Sequence, residues 1–136
     1  MKVAVRYYSK TGNTKKLADA ISEAVGTEAA TVDSPINEYV DILFLGASVY
    51  YGGIDKKIKS FIDSLKTDKI GKVVVFSTSS LTERAFFEIE KLLKQNGVNV
   101  EKDNFYCRGK FKFLYKNRPN EDDCKSAARF AQKFLV

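Results

Sequence analysis

Apolar residues along the chain keep two alternating rhythms. In residues 2–8 Val3, Val5 and Tyr7 alternate with Ala4 opposite, the period-two pattern of a strand. From Thr14 onward Leu17, Ala18, Ile21, Ala24 and Val25 keep helical spacing and Gly26 follows, which predicts a helix closed by a glycine. A short strand is expected over 28–32, ended by Asp33-Ser34-Pro35. Residues 41–46 are a continuous apolar run between turn signals, as in a strand covered on both faces. After Gly52-Gly53, the residues Ile54, Ile58, Phe61, Ile62 and Leu65 form one helical stripe, and 72–77 repeats the buried strand. Ser80 and Glu83 have capping-box spacing ahead of Phe86, Phe87, Ile89, Leu92 and Leu93, a helix ended by Asn96-Gly97. A fifth strand is expected within 98–107. The last helix should start near Asn120, place Glu121, Asp122 and Asp123 in its first turn, and bury Ala127, Phe130, Ala131 and Phe134.

Five strands alternating with helices predict an α/β fold, a doubly wound parallel sheet, because parallel neighbours need right-handed crossovers that cover both faces. At 136 residues the chain is expected to be one domain, 1–136. Ligands of such sheets sit beyond the carboxyl ends of the strands, where the winding reverses.

Composition narrows the chemistry. Hydrophobic residues make up 44% with no apolar run near twenty, so no membrane span is expected, and Met1-Lys2-Val3 leads into a strand rather than a signal peptide. A cytoplasmic location is expected. There is no histidine and only Cys107 and Cys124, a poor metal set that leaves no imidazole base; both thiols are expected to be reduced. The net charge of +6 is local, since Arg108, Lys110, Lys112, Lys116 and Arg118 supply +5 within 108–118 without one acid.

Ser9-Lys10-Thr11-Gly12-Asn13-Thr14 follows the first strand and opens a helix. Unpaired first-turn amides and the positive end of the dipole suit a phosphate there. Ser9, Thr11 and Thr14 add hydroxyls, while Gly12 and Asn13 tolerate left-handed geometry. The loop lacks the G-K-[ST] ending of triphosphate loops and the G-x-G-x-x-G of dinucleotide loops. The run Gly46-Ala47-Ser48-Val49-Tyr50-Tyr51-Gly52-Gly53 leaves the third strand with small residues, two tyrosines and two glycines. Ser77-Thr78-Ser79-Ser80 follows the fourth.

The S-x-T-G-N-T loop together with the 46–53 loop resembles the flavodoxins, over essentially the whole chain and without the fifth-strand insertion of long-chain members. The resemblance implies the strand order 2-1-3-4-5 and flavin mononucleotide (FMN) as cofactor. Ser9, Lys10, Thr11, Gly12, Asn13 and Thr14 would then hold the phosphate. Ala47, Ser48, Val49, Tyr50, Tyr51, Gly52 and Gly53 would pack on the ring, with Tyr50 or Tyr51 as aromatic neighbour and Gly52 as the mobile peptide near N5. Ser77, Thr78, Ser79 and Ser80 would meet the pyrimidine edge. No tyrosine stands in that last loop, so Phe105, Tyr106, Phe111, Phe113 and Tyr115 are candidates for the outer ring face. The function implied is electron transfer between redox partner proteins, without catalytic side chains. Lys56, Lys57 and Lys59 depart from the acidic character of familiar flavodoxins and point to partners with acidic docking patches. Two alternatives stand beside it: a flavin-dependent oxidoreductase of the same fold, such as a quinone reductase or a ribonucleotide-reductase-activating flavodoxin, and nucleic-acid binding through 108–118, where cations and aromatics interleave.

Overall fold

In the computed structural model of the chain, residues 1–10, 12–50, 53–79, 84–108 and 118–135 are described, positions 49, 50, 79, 84, 85 and 108 by their backbone alone. The elements are β1 (Val3–Tyr7), α1 (Asn13–Val25), β2 (Ala29–Thr31), β3 (Val40–Tyr50), β4 (Gly53–Ile54), α2 (Lys56–Ser64), β5 (Ile70–Ser79), α3 (Arg84–Gln95), β6 (Phe105–Arg108) and α4 (Glu121–Gln132). The parallel strands run in the order β2-β1-β3-β5-β6. With the two-residue β4 set aside, this is the expected 2-1-3-4-5. β4 folds back on β3 as an antiparallel pair, Val49 opposite Ile54 and Tyr50 opposite Gly53.

Period-two alternation in the central strands sorts side chains onto two faces. Leu43, Leu45, Val73 and Val75 pack with Ile58, Ile62, Ile89 and Leu93 of α2 and α3. Ile42, Phe44, Val74 and Phe76 pack with Leu17 and Ile21 of α1 and with Ala127 and Ala131 of α4. Each fully buried Leu, Ile or Phe of this set contributes about 1.5–3 kcal/mol by leaving water. Phe130 and Phe134 border the second cluster half-buried, their rings meeting edge to face at 5.1 Å.

Helix ends follow local chemistry. Gly26, at φ 77°, closes α1 and returns its N–H to the Ser22 carbonyl. Asn120 opens α4 with a reciprocal box in which its side chain accepts from Asp123 N–H and the Asp123 carboxylate accepts from Asn120 N–H. The expected box of Ser80 with Glu83 lies outside the described residues.

Three strands end differently from their apolar runs. β3 continues to Tyr50 and β5 to Ser79, because Ala47, Ser48 and Val49 pair with Ser77, Thr78 and Ser79. Backbone pairing thus carries both strands beyond the hydrophobic signal. The fifth strand is only Phe105–Arg108, and Val100 keeps one isolated bridge to Val73. The polar stretch 101–104, Glu-Lys-Asp-Asn, offers nothing for the sheet faces to cover.

Candidate functional site

The winding reverses between β1 and β3. α1 leaves the carboxyl end of β1 toward one face, and α2 follows β3 toward the other. β1 pairs with β3 only as far as Tyr7 opposite Gly46, and Tyr8 N–H donates to the Gly46 carbonyl at 3.2 Å. Beyond that point β3 and β5 run on together, so 47–50 and 77–79 form a ledge beside the first loop.

That loop is tied from within. Ser9 Oγ accepts from Gly12 N–H at 2.9 Å. Gly12 is the N-cap residue of α1 at φ 89°, a left-handed conformation that disfavours a side chain, and a Cβ built there meets nothing within 4 Å. It gives α1 no side-chain cap, whereas Asp55 caps α2 and Asn120 caps α4. Asn13 and Thr14 begin the helix, both buried. Thr14 Oγ lies 3.1 Å from Thr78 Oγ, which brings the first and third predicted segments together. Thr11 lies outside the described residues.

The second and third segments meet by register. Ala47 and Ser48 are buried in β3 beside Ser77 and Thr78. They are strand residues, where the sequence pattern places a loop. Ser77 is fully buried and its Oγ finds no hydrogen-bond partner among the described residues, although burying a hydroxyl without a partner costs about 1–3 kcal/mol. Val49, Tyr50 and Ser79 are placed as strand backbone. Gly53 turns the chain into β4 at φ 85°. Tyr51, Gly52 and Ser80 lie outside the described residues, as do 109–117 with Phe111, Phe113, Tyr115 and most of the basic segment. Phe105 belongs to the core side of β6, packing on Phe130 at 5.9 Å, and Tyr106 pairs in register with Ser77.

Two connections escaped the sequence reading. Lys10 of the first loop forms an ion pair with Asp55 at 3.5 Å, while the same carboxylate accepts from Lys57 N–H at 2.9 Å. One side chain therefore joins the first loop, the end of the hairpin and the start of α2. Asp before a helical stripe is a recognised N-cap signal, so the cap was readable; the bond to Lys10 was not. Glu88 of α3 accepts from Ile54 N–H at 3.3 Å and holds the hairpin from the other side.

Among titrating groups, burial pushes the Cys107 thiol up to about 12, the charge of Asp123 adding and Arg118 opposing. Burial also raises Cys124. Both cysteines are free thiols. No His/Cys/Asp/Glu group suited to a metal ion occurs among the described residues, and no helix among them is long and apolar enough to cross a membrane.

A family model described as a flavodoxin domain matches residues 4–116. An uncharacterised protein of Methanocaldococcus jannaschii is 33% identical, over 90% of each chain. The flavodoxin-like domain-containing protein BilS of Clostridioides difficile is 33% identical over 81% of this chain and 67% of its own. Oxidised flavodoxin 2 from Bacillus cereus superposes with a TM-score of 0.72 at 21% identity, covering 99% of this chain and 98% of that one.

Proposed function

We propose that this chain, which belongs to the flavodoxin family, binds FMN at the carboxyl ends of β1, β3 and β5 and carries electrons between redox partner proteins. The observation that carries the reading is the start of α1. Of the three α-helices whose N-caps are described, α1 alone has an N-cap residue that gives no side-chain cap, and it starts where the winding reverses. Its first-turn amides and dipole suit a phosphate dianion better than a neutral acceptor. The donor set fits a flavin as well. Ser77 Oγ is a buried hydroxyl at the ledge without a partner among the described residues, and Gly12 leaves space where a Cβ would stand.

Bound FMN supplies one- and two-electron chemistry that side chains lack. The protein's work is to hold and shield it. Ser9 shapes the phosphate loop by fixing the Gly12 amide. Thr14 and Thr78 brace each other where α1 meets β5, and by the family resemblance Tyr50, Tyr51, Gly52 and Gly53 would pack on the ring.

Titration with FMN and with riboflavin tests the reading. FMN should bind stoichiometrically and riboflavin far more weakly. Equal affinity for the two would remove the phosphate role from 9–14. Thr11→Ala should lose one charge-assisted hydrogen bond, about 1.5–3 kcal/mol or roughly tenfold to a hundredfold in affinity. Thr14→Ala should lower affinity and stability together, since it also strips Thr78 of its partner.

A further inference from the structure

Between α2 and the connection that follows β2 lies a cleft of about 420 Å³. Its floor is apolar, built from the buried Val32 and Phe61, and exposed Pro35, Lys56 and Lys57 line its rim. Both walls are fixed. Arg6, which has no acidic partner among the described residues, donates from Nε to the Ser34 carbonyl at 2.9 Å and from a terminal nitrogen to the Pro35 carbonyl at 3.4 Å. Lys57 reaches across to Asp33 at 3.3 Å.

The charges around the cleft do not cancel. Asp33 is matched by Lys57 and Asp55 by Lys10. Asp63 takes the Asn96 side-chain amide of the connection after α3, away from the cleft. Lys56 and Lys59 are exposed, and neither has an acidic partner among the described residues. Ser60 adds an exposed hydroxyl at the cleft, whereas Ser64 Oγ is spent on the Phe61 carbonyl at 2.6 Å. A preformed apolar floor with the uncompensated Lys56 ammonium at its rim and Lys59 exposed one helical turn further along α2 fits a segment that alternates carboxylates with apolar side chains.

We infer that this cleft is the docking surface for an acidic, partly apolar segment of the electron-transfer partner, an inference that rests on the carrier function proposed above. The cleft adjoins the FMN site through bonds already described. A single residue, Asp55, separates α2 from the hairpin strand that ends at Ile54, Asp55 ties α2 to the first loop, and Lys57 Nζ stands 5.9 Å from the centre of the Tyr8 ring. A partner held there sits beside the hairpin. Lys56 and Lys59 steer it, with an effect that salt screens.

The test uses the full, FMN-loaded, nitrogen-15-labelled chain and a blocked peptide alternating glutamate with leucine. Peptide should shift the amide signals of 32–34 and 56–64, and binding should weaken as salt is added. The variant K56E/K59E should bind about tenfold more weakly with its spectrum otherwise native, given two reversed surface charges. Should that variant fold poorly, S60E, which sets a carboxylate at the cleft, should weaken binding in the same sense. No binding, shifts confined to another face, or unchanged affinity in the variants would overturn the inference. So would an oligothymidylate that occupies the same residues more tightly than the peptide. FMN content is read from the visible spectrum of each sample. A chain that takes up no FMN yet binds peptide in the cleft would sink the cofactor reading and leave the docking surface standing.

Discussion

Gly46 shows that a residue's place can be legible while its role is not. In the sequence it ends the apolar run 41–46 and opens the segment 46–53. In the structure it lies inside β3, opposite Tyr7 and Phe76, and a Cβ there would collide with the Phe76 ring. Its small size, not its backbone freedom, is what the site requires. Gly46→Ala should therefore destabilise by about 1–3 kcal/mol through overpacking, read as a lower urea midpoint with the slope unchanged. Cys107 gives a pH prediction. Its folded pKa is raised to about 12 from 9.0, so the folded state holds this proton more tightly than the unfolded chain does. The contribution is complete below pH 9.0 and is lost as pH climbs toward about 12. Cys107→Ala should flatten the fall in urea stability between those limits relative to the parent. At neutral pH an aromatic disulfide reagent should label half-buried Cys124 before Cys107.

At the scale of elements, helices were read correctly wherever one stripe of apolar residues recurred, because burial of that stripe is what stabilises them. Strand ends were not. Ala47-Ser48 and Ser77-Thr78 are small or polar, so no hydrophobic alternation marks them, yet they pair in parallel register. Pairing is a property of two distant segments and leaves no trace in either one. Capping divides in the same way. Asn120 and Asp55 both carry a start signal ahead of a helical stripe, but the bond from Asp55 to Lys10 joins distant segments and carries none. Asn120→Ala should cost about 1 kcal/mol of stability, as loss of an N-cap generally does, with no effect on FMN binding. Asp55→Ala should cost a similar amount in denaturant and also lower FMN affinity, since it releases Lys10 and the start of α2 together. A variant that loses stability but binds FMN as the parent does would detach this carboxylate from the site.

For the whole molecule, the doubly wound parallel sheet follows from the alternation of elements and the right-handed crossover, whereas the strand order comes from the family resemblance, since alternation alone fits more than one order. The contacts that close the candidate site were not legible, as with Thr14 meeting Thr78 across 64 positions. A ligand that binds only the folded chain should stabilise all of it. FMN at a hundred times its dissociation constant adds about 2.7 kcal/mol, enough to raise the melting temperature on the order of 10 °C; a melting point indifferent to FMN would refute specific binding. The order β2-β1-β3-β5-β6 has a further consequence during synthesis. β1 leaves the ribosome before either of its neighbours, and nothing can lie against its far side until β3 has been made. From then on growth is one-directional, β5 adding beside β3 and β6 beside β5, so no finished pair must reopen to admit a later strand. The ledge of 47–50 with 77–79 is complete only once β5 has emerged. A nascent chain halted before that point would hold the first loop without the strand that braces it through Thr78, and on the proposed function should retain no flavin.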